Sequence, residues 1–148
     1  MIDNDKLNHI IGVARLMKDR AVDFGLDAEE MFTLGMLHDI GFEFGTSEEH
    51  HKIGYEILKS QGYKYATEVL YHGMPTSEYS STALDLLNYA DLHISKTGDY
   101  VPFSLRLEDI KNRRGENSKH YINCKMVIDG LKAKYKFINN EDDDNLVR

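Results

Sequence analysis

Imidazole and carboxylate side chains recur in this chain at positions where helical patterning calls for apolar residues. His38-Asp39 closes the apolar stretch MFTLGML. Neighbouring residues on a helix point about 100° apart, so this pair converges only where the helix ends or a cavity surrounds it. His9 flanks the stripe containing Ile10, Val13 and Leu16 and can look into a seam between helices. Asp91 follows Leu84 and Leu87 at helical spacing, which places a carboxylate on a buried stripe. Such a carboxylate must be paired or metal-bound, because an isolated buried charge is very costly. His51 stands in the first turn of an expected helix, and His72 closes the run Val69-Leu70-Tyr71. Its neighbour His50 is expected to face solvent, although it could replace His51 as the inward residue. Imidazole and carboxylate together suit a divalent transition metal such as zinc, manganese or iron.

Helices must position these groups. The chain has 148 residues, 41% of them hydrophobic, which is enough for one core. Only Pro75 and Pro102 interrupt it. Helical spacing runs unbroken from Leu7 through Ile10, Ala14, Met17 and Ala21 to Phe24, and Gly25 fits a C-terminus. Asp27 with Glu30 reads as a capping box for a second helix reaching about Asp39. A third is expected to start at Thr46 or Ser47, with Glu48 and Glu49 in its first turn, and to end near Gly62. Shorter helices follow over Tyr65–Tyr71 and Ser80–Ile94, and a last one over Lys119–Phe137. The best candidate strand, Asp99–Leu107, is short and contains a proline. The expectation is an all-α, single-domain bundle of about six helices over residues 1–138, followed by an acidic flexible tail over 139–148.

Composition excludes several classes. No apolar run is long enough to span a membrane. The polar start MIDNDKLNHI lacks a signal-peptide layout, so a cytoplasmic location is expected. Cys124 is the single cysteine, which excludes an internal disulfide. Eighteen Lys and Arg against 25 Asp and Glu give a net charge of −7, which disfavours nucleic acid as a bulk partner. An anionic small molecule held through a metal remains compatible with that balance, as does a homo-oligomer.

His9, LGMLHDIGF, HKIGYEIL, VLYHG and LLNYADLH, taken in this order, resemble the HD-domain metal-dependent phosphohydrolases over about residues 5–130. TGDYVPFSLRLEDIKNRRG further resembles the region after the aspartate in small stand-alone members. The resemblance implies a helical fold and a metal bound by His9, His38, Asp39 and Asp91. His51 and His72 resemble the subgroup that can hold a second ion. The implied cofactor is one or two divalent ions of iron, manganese, nickel, cobalt or zinc, with magnesium admissible. Two-ion capacity is favoured, with Asp39 as the bridging and catalytic carboxylate. The single-ion alternative makes His51 and His72 donors to phosphate. The pair continues Ile40-Gly41-Phe42-Glu43 with no lysine, and His72 leads into Gly73-Met74-Pro75. Both departures disfavour a cyclic-dinucleotide phosphodiesterase.

The chemistry so implied is hydrolysis of a small phosphoester, nucleotide in kind, by hydroxide formed when a metal lowers the pKa of its water to about 7. Lys52 and Arg106 are the candidate substrate contacts, Arg113 and Arg114 weaker ones, and Arg106 could equally pair with Asp109. Rival readings are a hydrolase of dinucleoside polyphosphates, another nucleotide phosphodiesterase, and a non-catalytic metal or nucleotide sensor. His93, two residues past Asp91 and pointing away from it, is expected at the surface or supporting the site, His120 capping the last helix or facing solvent, and Cys124 in the core.

Overall fold

The computed structural model describes residues 2–45 and 49–147, with side chains up to Glu141. Among the described residues eight α-helices follow one another: α1 (Asn4–Arg20), α2 (Ala28–Leu37), α3 (His50–Ser60), α4 (Ala66–Tyr71), α5 (Thr82–His93), α6 (Phe103–Arg114), α7 (Lys119–Lys134) and α8 (Lys136–Val147). Among the described residues the only β pairing is an isolated bridge between Ile94 and Tyr100. The all-α fold expected from the sequence is the one observed.

Local chemistry explains the boundaries. Asp3 caps α1 by accepting from the Lys6 amide at 2.8 Å. After Arg20 the chain tightens into a 3-10 turn, Ala21–Phe24, and leaves it at Gly25, whose φ of 69° suits a residue without a Cβ. Asp27 caps α2 through the Glu30 amide at 2.9 Å. The Glu30 side chain instead accepts from Lys64 Nζ at 2.9 Å and the Tyr65 hydroxyl at 3.0 Å, tying α2 to the start of α4. Ser81 caps α5 and also donates to the buried carboxylate of Glu68, so one hydroxyl serves two elements.

Helix α5 is buried almost all round and touches α1, α2, α4, α6 and α7. A helix apolar on every side belongs at the centre of a bundle. Around it pack Val13 and Met17 of α1, Met31 and Leu34 of α2, Val69 of α4, Ile110 of α6 and Ile128 of α7. Helices α1 and α2 share the most extensive contact, and Gly35 permits it. A Cβ there would stand 2.5 Å from the Ala14 Cα.

Residues 103–114 form α6, led in by Pro102, in keeping with the all-α expectation. One expectation needs correction. The segment beginning at Asn139 is not a detached tail. It continues as α8 to Val147, with Ile138 fully buried. Glu141 accepts from Arg20 Nη2 at 2.7 Å and from the Tyr89 hydroxyl at 2.9 Å. The expected start of the third helix at Thr46 or Ser47, with Glu48, lies outside the described residues, and α3 is described from His50.

The close approach at Gly35 yields a stability test. Gly35→Ala forces backbone against backbone, so it should destabilise the fold by about 1–3 kcal/mol despite the better helix propensity of alanine. Urea unfolding followed by circular dichroism measures this. An unchanged midpoint would mean α1 and α2 can separate freely.

Candidate metal centre

Helix α2 ends at His38, and the chain turns through Asp39 (φ −110°, ψ 20°) into a 3-10 turn, Ile40–Glu43. The break lets two neighbouring residues aim at one point, with His38 Nε2 3.2 Å from Asp39 Oδ2. Gly41 allows the turn to lie directly on the first turn of α3, since a Cβ there would sit 1.9 Å from the His50 carbonyl oxygen. That contact delivers His50 to Asp39.

Both oxygens of the Asp39 carboxylate face cations or imidazoles. Oδ2 lies 3.2 Å from His38, 3.9 Å from His9 and 3.2 Å from Lys6 Nζ. Oδ1 lies 3.4 Å from His50 Nε2 and 3.3 Å from His72 Nε2. Asp91, from the middle of α5, reaches the same place, with Oδ1 2.8 Å from His9 Nε2 and 3.5 Å from His38 Nε2.

Three of the imidazoles are oriented by backbone carbonyls. His9 Nδ1 meets the Ser95 oxygen at 2.9 Å, His38 Nδ1 the Gly35 oxygen at 2.7 Å, and His72 Nδ1 the Val69 oxygen at 2.6 Å. A carbonyl only accepts, so each Nδ1 donates to it and each Nε2 is turned towards the centre. His9 Nε2 therefore meets an Asp91 oxygen as acceptor against acceptor unless a proton or cation lies between them.

The electrostatics agree. Burial opposes charge on Asp39, but His38 and then His50 and His72 hold its carboxyl well below the usual carboxylate range. Asp91 is likewise held low by His38 and His9 against the effect of burial. For His38, burial disfavours the charged ring, yet the Asp39 and Asp91 carboxylates outweigh it and push the ring up to about 10. His51 moves oppositely, down to about 2, through burial and then the neighbouring His72 and His50.

Donor atoms of three overlapping groups lie within 4.8 Å of one another: His9, His38 and Asp91; His38, Asp39 and His72; and His50, His51 and His72. His38 Nε2 is buried with no hydrogen-bond partner. Convergent nitrogens and carboxylate oxygens, with a buried nitrogen left over, fit a divalent transition ion.

All six residues expected as ligands, His9, His38, Asp39, His51, His72 and Asp91, are thus brought together. His50 is a correction. It is buried, stacked on Phe42 at 3.9 Å, and faces Asp39 instead of solvent. His93 is a second correction, buried between Phe103 and Tyr100 with Nδ1 donating to the Val101 oxygen. His120 is exposed as expected, and Cys124 is in the core, its thiol pushed up to about 12 by burial and then Asp91.

The two residues expected to meet substrate are placed differently from each other. Lys52 is exposed on α3. Arg106 is buried, its Nε 3.4 Å from the Asp91 carbonyl oxygen and Nη1 4.0 Å from Asp109, so it braces Asp91 from behind. Sequence reasoning missed Lys6, whose Nζ also rests 4.0 Å over the Phe42 ring. Its signal was available: Lys6 precedes His9 by three residues and so shares its helix face.

Together these features define a helical bundle built around a cluster of histidines and aspartates that could hold a metal ion. Residues 7–133 match the family model described as HD domain. The chain belongs to that family, whose members are generally metal-dependent hydrolases. Comparison with curated proteins and with solved structures gave no match.

Metal uptake should release protons. At neutral pH His38 holds a proton that must leave before Nε2 can coordinate, so binding should expel about one proton per chain. Apparent affinity should therefore rise with pH towards about 10 and fall as pH drops. Titration calorimetry in buffers of differing ionisation enthalpy counts the protons. Enthalpies independent of buffer would contradict a protonated His38.

Proposed function

We propose that the protein is a metal-dependent phosphohydrolase that cleaves a small phosphoester, nucleotide in kind, using one or two divalent ions. The observation that supports this most is the Asp39 carboxylate with imidazoles on both oxygens and a lysine at its edge. Held there, a divalent ion supplies Lewis-acid activation of a phosphoryl oxygen and of water.

The chain's own residues do the rest. His9, His38 and His72 present preset Nε2 atoms, so little reorganisation accompanies loading. Asp39 spans the centre, and Asp91 is fixed by the brace of Arg106 on its backbone. Lys6 is part-exposed beside Asp39, where an ammonium can offset charge on the equatorial oxygens of a phosphoryl group. Lys6 therefore replaces Lys52 as our substrate contact. The same reading keeps nucleic acid disfavoured at a net charge of −7 and assigns the protein to the cytoplasm. No described helix is long and apolar enough to cross a membrane.

A panel of phosphomonoesters, dinucleoside polyphosphates, cyclic nucleotides and single-stranded oligonucleotides, each with manganese, iron, nickel or zinc, tests the proposal. Hydrolysis of the monoesters is expected. Preference for a dinucleotide would move the assignment to the phosphodiesterase alternative, and binding without turnover would make the protein a sensor. With the substrate in hand, His38→Ala and Asp39→Ala should lower turnover by at least a thousandfold while His120→Ala stays within about threefold. Lys6→Met should raise KM more than it lowers kcat if the ammonium holds the ground-state phosphate. Equal losses in His38→Ala and His120→Ala would refute the placement of the centre.

A further inference from the structure

The ring of Phe42 touches a partner of each oxygen of the Asp39 carboxylate. It stacks on the His50 imidazole, with centroids 3.9 Å apart and planes 21° from parallel, and His50 lies 3.4 Å from Oδ1. The Lys6 ammonium rests over the same ring, 4.0 Å from its centroid, and lies 3.2 Å from Oδ2. The ring stands in fixed relation to the carboxylate, because the Phe42 amide donates to the Asp39 carbonyl oxygen at 3.0 Å. The next side chain, Glu43, accepts from the Ile2 amide at 3.1 Å. Two adjacent side chains of one turn thus hold the start of α1 beside Asp39.

We propose that Phe42 is the positioning residue for the Lys6 ammonium, its ring face holding Nζ at the edge of the centre where a phosphoryl oxygen would meet it. Lysine is long and flexible, and Lys6 is part-exposed, so its charge needs a second hold besides the carboxylate. An aromatic face attracts a cation through its quadrupole and leaves the cation's N–H donors unspent. An ammonium has three such donors, so Lys6 can rest on Phe42 and face Asp39 with capacity left for an anion. A divalent ion bound by Asp39 would draw on the same carboxylate charge, and the aromatic hold then becomes the more important of the two. An aliphatic residue would fill the space but offer no such face, so the bulk of the ring and its electrostatics are separable. This rests on the proposed function, in which Lys6 meets a phosphoryl group.

The experiment compares full-length wild type with Phe42→Leu and Phe42→Tyr, each metal-stripped and then zinc-loaded, with folding checked by circular dichroism. Phe42→Met serves where Phe42→Leu does not fold. In NMR the Lys6 ε-methylene protons should resonate upfield of an ordinary lysine, return to the ordinary position in Phe42→Leu and stay shifted in Phe42→Tyr. The affinity of the zinc-loaded protein for inorganic phosphate, by titration calorimetry, should fall about threefold to tenfold in Phe42→Leu and hold within about twofold in Phe42→Tyr. In a Lys6→Met background Phe42→Leu should cost nothing further, because ring and ammonium act as one unit. Zinc content should be the same throughout. Where a phosphoester is turned over, its KM should follow the same pattern, with kcat changed less. An unshifted Lys6 ε-methylene, or unaltered phosphate affinity in Phe42→Leu, would overturn the proposal. So would an equal loss in the Lys6→Met background or a drop in zinc content, since Phe42 would then act through His50. Coupling of the two residues without turnover of any phosphoester keeps the positioning role and removes the enzymatic reading. Turnover without coupling keeps the enzyme and removes the positioning role. A zinc-loaded wild type that neither binds phosphate nor turns over a phosphoester overturns both.

Discussion

A carboxylate buried at the middle of a helical bundle is the constraint to which the structure answers. Asp39 is almost wholly inaccessible, and a carboxylate so placed must have positive or proton-donating partners on both oxygens. They come from four helices: His9 and Lys6 from α1, His38 from the end of α2, His50 from the start of α3 and His72 from the end of α4. Helix ends matter here for a geometric reason. Inside a helix, adjacent side chains diverge, whereas at an end the backbone can turn and bring neighbours together. His38 with Asp39 and His50 with His51 both exploit that freedom.

The rigidity of the centre comes from backbone carbonyls more than from other side chains. Gly35, Val69 and Ser95 each lend an oxygen to an imidazole. For His38 and His72 the carbonyl lies three residues earlier, so the ring folds back on its own final turn. His9 lies mid-helix and must borrow from the loop after α5. Gly12 and Gly98 allow that loop to lie against α1, where a Cβ on either would meet backbone or side chain within 3 Å. At the other end of α1, Arg20 gathers Tyr89 of α5 and Glu141 of α8. Helix α8 thus fastens the two helices that carry His9 and Asp91.

The fold and most of the centre were legible in the sequence because both depend on helical period. An imidazole or carboxylate on an apolar stripe stands out, and Asp91 and His9 were found that way. What period could not resolve was the direction of adjacent residues at a helix end. His50 was assigned to solvent because on a regular helix only one of two neighbours points inward, yet the turn over Gly41 buries it. His93 misled for a related reason: pointing away from Asp91 means, on a helix buried all round, pointing into another part of the core. The tail was misread because local charge was weighed without its distant partner. Glu141 is acidic in composition, but the guanidinium that fixes it lies some 120 residues earlier.

Charge is the test that the proposed function must meet, since a protein of net −7 would have to address a phosphate. Asp39 and Asp91 bring two negative charges to one small volume, and among the described residues Lys6 is the lysine or arginine whose side chain pairs with them. Alone, that cluster would repel a phosphoryl group. A single divalent ion reverses its sign, and a second makes it strongly positive, in surroundings that screen much less than water. On the proposed function, affinity for substrate and affinity for metal would be one property, and the acidic balance would be compatible with an anionic substrate. It also discourages the long polyanions that a permanently basic groove would attract. On the proposed function, a preference for small phosphoesters over nucleic acid would follow from where the positive charge would reside: in ions held at the centre, and not along the surface.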